Sequence, residues 1–496
     1  MKHGSDESIP ARLRKSVSAA SLVGSLTLAC WLTILVLVWP ATLRAGEFKA
    51  GAAAVVITPP VGTPLAGFYS LRPSAGVLDD LYAKAIVVEQ DGVKAAFVAL
   101  DLAYTTRSGV AAARELIARE CGIAPGRVMI SATHTHTGPV QPRDNLMDDL
   151  TGVREPLAVE FTAKLPTLIA LAVSEASAKL VPARTSAAMG REESVSFNRR
   201  SWMNDGTVAW QPPKLSPNIV RPAGPTDPDV GVCYFESAAK NAVPLATYVN
   251  FAMHPTVMGG LKCSADYPGR IARRFAEFKG DNMVTFFANG CCGNLNQCDP
   301  NWADPQHGTD EAERIGTLLA AAAFRAWPKL EPLKSFAPRA RATMVTLPRR
   351  KITDAEVTEA RRMADDIGKK QMGTVAMANA VCILDTLKHE GTPLTAEVQA
   401  IAFSDELAIV ALPGEIFVEL GLALKRASPF KHTFIAELAN GSIGYIPNRS
   451  AYAEGQYEVV SARGAEGAGE LLMDAALKLL KDLRSPEATA NHQPTN

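Results

Sequence analysis

Short apolar runs bounded by turn residues alternate along this chain with longer stretches whose apolar positions recur at helical spacing. The runs at 83–89 and 94–101 have strand length, and Gln90-Asp91-Gly92 between them is a tight-turn signal, so the two predict a hairpin. Residues 108–121 carry helical spacing, with Gly122 placed to end the helix. A strand over 128–131 and an amphipathic helix over 156–180 follow. Residues 201–228, rich in Pro and Gly and carrying Trp202 and Trp210, predict a long loop of the kind that covers functional sites. Beyond it the pattern predicts a strand over 244–253 ending at His254, a helix over 267–279, and a strand over 283–288 running into Asn289-Gly-Cys-Cys-Gly293. A helix over 310–327 comes next, and Thr353 with Glu356 forms a capping box that opens another toward Lys370. Strands over 407–412 and 432–438 lead to Pro413-Gly414-Glu415 and to Asn440-Gly-Ser-Ile-Gly-Tyr445. This alternation predicts an α/β fold: a single large domain with mixed β-sheets and surrounding helices.

The amino end has a different character. Arg12, Arg14 and Lys15 precede a stretch without charges from 16 to 43. A signal-peptide core needs ~7–15 apolar residues and a membrane span ~20, so this stretch is long enough for either. It predicts an export signal or signal anchor over 1–45, with the basic side in the cytoplasm. The rest of the chain is then exported, periplasmic or extracellular, and possible membrane association runs through 16–43. The folded domain is expected over 46–485, and 486–496 is a polar tail. The 496 residues are 47% hydrophobic with a formal net charge of +0, which excludes general disorder and argues against a nucleic-acid partner. Of eight cysteines, Cys30 lies in the export segment. The remaining seven define no disulfide framework and predict buried thiols or one local disulfide.

Candidate chemistry gathers just past the predicted strand ends. His134 and His136 follow the run at 128–131, and side chains two apart in an extended segment share a face, so both imidazoles can hold one metal ion. His254, Glu415 and Tyr445 also sit just beyond strands, where ligand sites of α/β sheets collect. Imidazole, carboxylate and phenol are all ligands for zinc, and a catalytic zinc keeps an open position. His307, His389 and His432 have no partner at ligand spacing.

Together these segments resemble the neutral ceramidases, zinc amidohydrolases that cleave ceramide into sphingosine and fatty acid. Ala132-Thr-His-Thr-His-Thr-Gly-Pro139 looks like their His-Thr-His-(Ser/Thr)-Gly-Pro segment. Phe197-Asn-Arg199 is similar to their Asn-Arg segment, and His254-Pro-Thr with Ser264-Ala-Asp-Tyr-Pro-Gly269 to their third-histidine segment. Leu412-Pro-Gly-Glu415 resembles their Pro-Gly-Glu, and Gly444-Tyr445-Ile446, Tyr452 and Gln456-Tyr457-Glu458 their tyrosine-rich stretch. The resemblance, in family order from about Thr58 to Tyr457, makes 46–485 a neutral ceramidase-like catalytic domain. It implies Zn2+ held by His134, His136, His254, Glu415 and Tyr445, with Tyr457 polarising the scissile carbonyl.

Two departures bear on specificity. Family members carry a Gly-Asp-x-Ser-Pro-Asn segment with an active-site serine, where this chain has Gly293-Asn294-Leu295-Asn296-Gln297. The chain also stops near 496, too early for the family's immunoglobulin-like C-terminal domain. The expected activity is therefore zinc-dependent amide hydrolysis by activated water, with Tyr457, and Asn296 or Arg199, steadying the oxyanion. The substrate is a lipid or other small molecule. Alternatives are another amide or an ester as substrate, or a membrane-anchored binding protein that has lost turnover.

Overall fold

A nine-stranded sheet and a four-stranded sheet pack face to face, and helices cover the outer face of each. This is a computed structural model; it describes residues 47–334, 336–364 and 373–484. The expected export segment 1–45, the expected polar tail 486–496 and the stretch leading to Lys370 lie outside the described residues.

The large sheet comprises β1 (Lys49–Val56), β2 (Tyr82–Gln90), β3 (Val93–Leu100), β4 (Val128–Ala132), β5 (Val181–Arg191), β6 (Asp229–Ser237), β7 (Pro244–Phe251) and β8 (Val284–Asn289), in the order β8-β7-β6-β5-β1-β2-β3-β4. A short strand, Glu331–Pro332, adds to β5. The second sheet comprises β9 (Arg339–Leu347), β10 (Leu394–Ala402), β11 (Leu407–Ala411) and β12 (His432–Ala436), in that order. Strands covered on both faces have no polar alternation, and β2 shows why. Ala83, Ala85 and Val87 meet the helices, while Ile86 and Val88 meet the second sheet. Phe97, Tyr248, Phe286, Ile409 and Phe434 fill the layer between the sheets.

On the helical side, α1 (Arg107–Cys121) is capped by Thr106 and ends at Gly122, whose φ of 66° suits the left-handed stop. Next to it, α2 (Pro156–Ala178) is long and apolar enough to cross a membrane by length and composition alone. Its stripe Phe161, Leu165, Ile169 and Val173 is packed into the core against β1 and β2. The other half of the sheet is covered by α3 (Asp266–Lys279) and α4 (Thr309–Ala326). The capping box at Thr353 and Glu356 opens α5 (Asp354–Ala364), which pairs with α6 (Thr374–Lys388), and α7 (Ala468–Arg484) covers the second sheet.

The topology that matters for function is a strand–helix–strand unit used three times. The pairs β3/β4, β7/β8 and β11/β12 are parallel and each encloses a helix: α1, α3, and Val418–Ala427. His134 follows β4, His254 follows β7 and Glu415 follows β11, so three separate units deliver their carboxyl ends to one place.

The expected loop over 201–228 is corrected by the structure. Arg200–Met203, Val208–Trp210 and Ile219–Pro222 form a three-stranded antiparallel sheet. Asn204-Asp205-Gly206 is the turn, with Gly206 at φ 80°, and such turn chemistry makes short strands in a Pro-rich stretch easy to miss. β9 has no counterpart in the apolar pattern because it is an edge strand: Ala342, Met344 and Thr346 are exposed on it, and Arg341 and Thr343 interrupt the apolar run. The seven described cysteines are free thiols.

Candidate metal centre

The ligand-type nitrogens of His134, His136 and His254 lie within 4.8 Å of one another. His134 has φ 80°, a left-handed backbone that turns the chain sharply off β4. Its Nδ1 lies 2.6 Å from the Ala103 carbonyl oxygen, and His254 Nδ1 lies 2.8 Å from that of Cys292 and 2.9 Å from that of Leu295. A carbonyl only accepts, so Nδ1 carries the proton in both rings and Nε2 presents a lone pair. Both lone pairs aim at one atom, Glu415 Oε2, 3.1 Å from His254 Nε2 and 3.4 Å from His134 Nε2. The Nε2 atoms of His134 and His136 are buried without a hydrogen-bond partner. Unpartnered imidazole nitrogens converging with a carboxylate are the chemistry of a divalent-metal site, and this donor set fits zinc.

Electrostatics point the same way. Burial holds the His136 imidazole well below its ordinary range, helped by His134 and His254. Burial, and then the Arg199 charge, push His254 down to about 4. Burial alone would raise the Glu415 carboxyl, but His134 and His254 hold it well below the usual range. At neutral pH His136 and His254 are therefore neutral imidazoles and Glu415 is an ionised carboxylate, the forms that bind metal.

Tyr445 pairs with Glu415 across a two-residue parallel bridge, so the phenol stands at the same centre. Its ring lies 5.4 Å from that of Tyr457. Trp210 stacks on Tyr457 at 4.6 Å, and the Tyr69 hydroxyl is 3.3 Å from the Tyr457 hydroxyl. Burial raises both Tyr445 and Tyr457 well above the ordinary phenol range, so the metal-free protein keeps both protons. The Arg199 guanidinium sits 5.5 Å from the Tyr445 ring centroid, and its Nη2 donates to the Gly293 carbonyl at 2.7 Å.

Asn296 is buried, and its Oδ1 accepts from the Cys298 amide at 3.0 Å, which leaves its Nδ2 as the group able to donate. Asn294 is used structurally: it donates to Glu419 at 3.0 Å and accepts from the Val418 amide at 2.9 Å.

Two residues at the centre escape sequence reasoning: Tyr69 and Glu437. Fully buried Glu437 accepts from the amides of Cys292 at 3.1 Å and Ile416 at 2.9 Å, and from the Cys292 thiol at 2.8 Å. One carboxylate thereby fixes both the loop whose carbonyl orients His254 and the residue after Glu415. A carboxylate at the end of a buried apolar strand is the signal that could have found it.

No protein-family description and no curated protein matches this sequence. Among solved structures, neutral ceramidase from Pseudomonas aeruginosa superposes with a TM-score of 0.69 at 19% identity, covering 90% of this chain and 78% of that one. A ceramidase complexed with C2 gives 0.68 at 19% identity, with 88% and 75% covered. The chain has the fold of these neutral ceramidases.

Proposed function

We propose that this chain is a metal-dependent hydrolase of amide bonds, of the ceramidase kind, with zinc as its metal. The observation that carries this reading is the convergence of His134 and His254 Nε2 on one oxygen of Glu415, with each Nδ1 tied to a backbone carbonyl. His134, His136, His254, Glu415 and Tyr445 would hold the ion. Zinc supplies Lewis acidity and a water that ionises near pH 7.

The remaining work falls to the chain. The protonated Tyr457 phenol, oriented by Trp210 and Tyr69, is available to donate to a carbonyl oxygen as negative charge develops on it. Arg199, stacked near both tyrosines, adds positive charge on the same side. The chain is further proposed to be exported, from the basic residues and apolar stretch ahead of 46; protection of the domain from protease in intact spheroplasts would exclude that.

The functional test is fatty-acid release from a short-chain N-acyl sphingosine and from an ester analogue, by zinc-loaded and zinc-stripped protein. Hydrolysis that appears with zinc and vanishes on stripping is expected. No turnover of either substrate by zinc-loaded protein would leave a different amide or ester substrate, or a binding protein, as the surviving readings.

A further inference from the structure

The cavity of about 180 Å³ that opens onto His134 and His136 is lined by apolar groups, among them Leu65, Val140, Val153 and Val381, yet it also carries two guanidinium groups, Arg143 and Arg463. They come from distant parts of the chain and are held by one small scaffold, the short helix Leu146–Thr151 and α6. Asp385 of α6 accepts from Arg463 Nε at 2.8 Å and from the Leu146 amide at 3.1 Å. Asp148 accepts from the backbone amide of Arg143 at 2.6 Å, while its other oxygen stands 3.8 Å from Arg143 Nη2, too far for a hydrogen bond. The Arg143 guanidinium carbon lies over the Tyr104 ring, 3.9 Å from its centroid, and Arg143 Nε is buried without a partner. Arg463 Nη1 lies 2.9 Å from where a Cβ on Gly444 would be, beside Tyr445 of the proposed centre.

A guanidinium carries five N–H donors. Among the described residues, Arg463 uses one of them, toward Asp385, and the Arg143 side chain uses none. An alkyl chain filling the cavity would strip water from these donors and return nothing, which is costly for a charged group. A carboxylate, sulfate or phosphate accepts from the planar fork in pairs.

We propose that Arg143 and Arg463 form an anion subsite, so that the amide substrate has an apolar stretch ending in a negatively charged group, a carboxylate being the simplest case. The proposal rests on the reading of this cavity as the substrate site of an amide hydrolase. It makes both arginines specificity determinants.

The test compares N-glutaryl and N-hexanoyl amides of one arylamine. The same comparison is made with the carboxylate on the amine side, N-hexanoyl-β-alanine against N-hexanoylpropylamine. The zinc-loaded full chain should favour the carboxylate by at least about tenfold in kcat/KM on one of the two sides, the worth of a charged hydrogen-bonded pair. Arg143→Gln should shrink that ratio toward one, mainly through KM. Equal rates within both pairs, or an Arg143→Gln protein that keeps the wild-type ratio, would overturn the subsite. Calorimetric titration with glutarate separates this outcome from failure of the hydrolase reading. If no amide is cleaved, glutarate binding that weakens at least about tenfold in both Arg143→Gln and Arg463→Lys upholds the subsite alone. Absent or unchanged binding ends it.

Discussion

Arg199 and Glu458 form an ion pair of 2.8 Å, Nε to Oε1, with side chains only 5% and 0% exposed. The other Glu458 oxygen accepts from Arg200 Nη1 at 3.0 Å, and Arg200 reaches Glu454 at 2.9 Å. Removing the shared carboxylate leaves two buried cations short of a partner. Glu458→Ala should therefore cost roughly 3–5 kcal/mol, read as the shift in urea midpoint at constant slope. It should also lower turnover, because Arg199 loses the contact that holds it beside Tyr445 and Tyr457. A midpoint within error of wild type would show that the pair does not organise the site.

Gly67 has φ 93°, and a Cβ added there would meet His136 Nδ1 at 2.4 Å. Gly67→Ala combines left-handed strain with a clash against a proposed ligand. The expected result is weaker zinc binding, with loss of turnover in proportion. Unchanged zinc affinity, measured by chelator competition, would mean that His136 is not held by this contact.

Asp266, fully buried, is pushed up to about 6 from an ordinary 3.8 by burial, partly offset by the amides of Met258 and Tyr267. The folded chain thus holds a proton that the unfolded chain has released between those values. Stability from this group is fully present below about 3.8 and is lost as pH rises through about 6. The whole effect is about 3 kcal/mol at most. Urea melts between pH 4 and 7 should show wild type losing stability over that window relative to Asp266→Asn. Parallel curves for the two proteins would refute the assignment.

The Asn296 side-chain oxygen is already engaged by the Cys298 amide. Asn296→Ala should slow hydrolysis by ~10²-fold at most, whereas His134→Ala should abolish it. The assay is turnover at matched zinc loading. Equal loss in both variants, with zinc still bound, would give Asn296 a direct part in the reaction.

Much of the centre is legible in the sequence because of where strands end. His134, His254 and Glu415 each follow a strand of a separate strand–helix–strand unit, and apolar runs of strand length mark those ends directly. The hairpin β2–β3 and the stop of α1 are readable because Gly92 and Gly122 supply the required positive φ. What stays hidden is set by contacts between distant segments. Tyr69 meets Tyr457 across 388 positions, and Glu437 reaches Cys292 across 145. No local pattern encodes either pairing. The three-stranded sheet within 200–222 is hidden for another reason: its strands are too short to show a period.

The most direct test of the metal centre is zinc content by elemental analysis of the purified chain beside His134→Ala and His254→Ala. One zinc per chain is expected for wild type and a sharp loss in both variants, since each substitution removes a bond and the geometry around it. Full zinc occupancy in both variants would contradict the assignment.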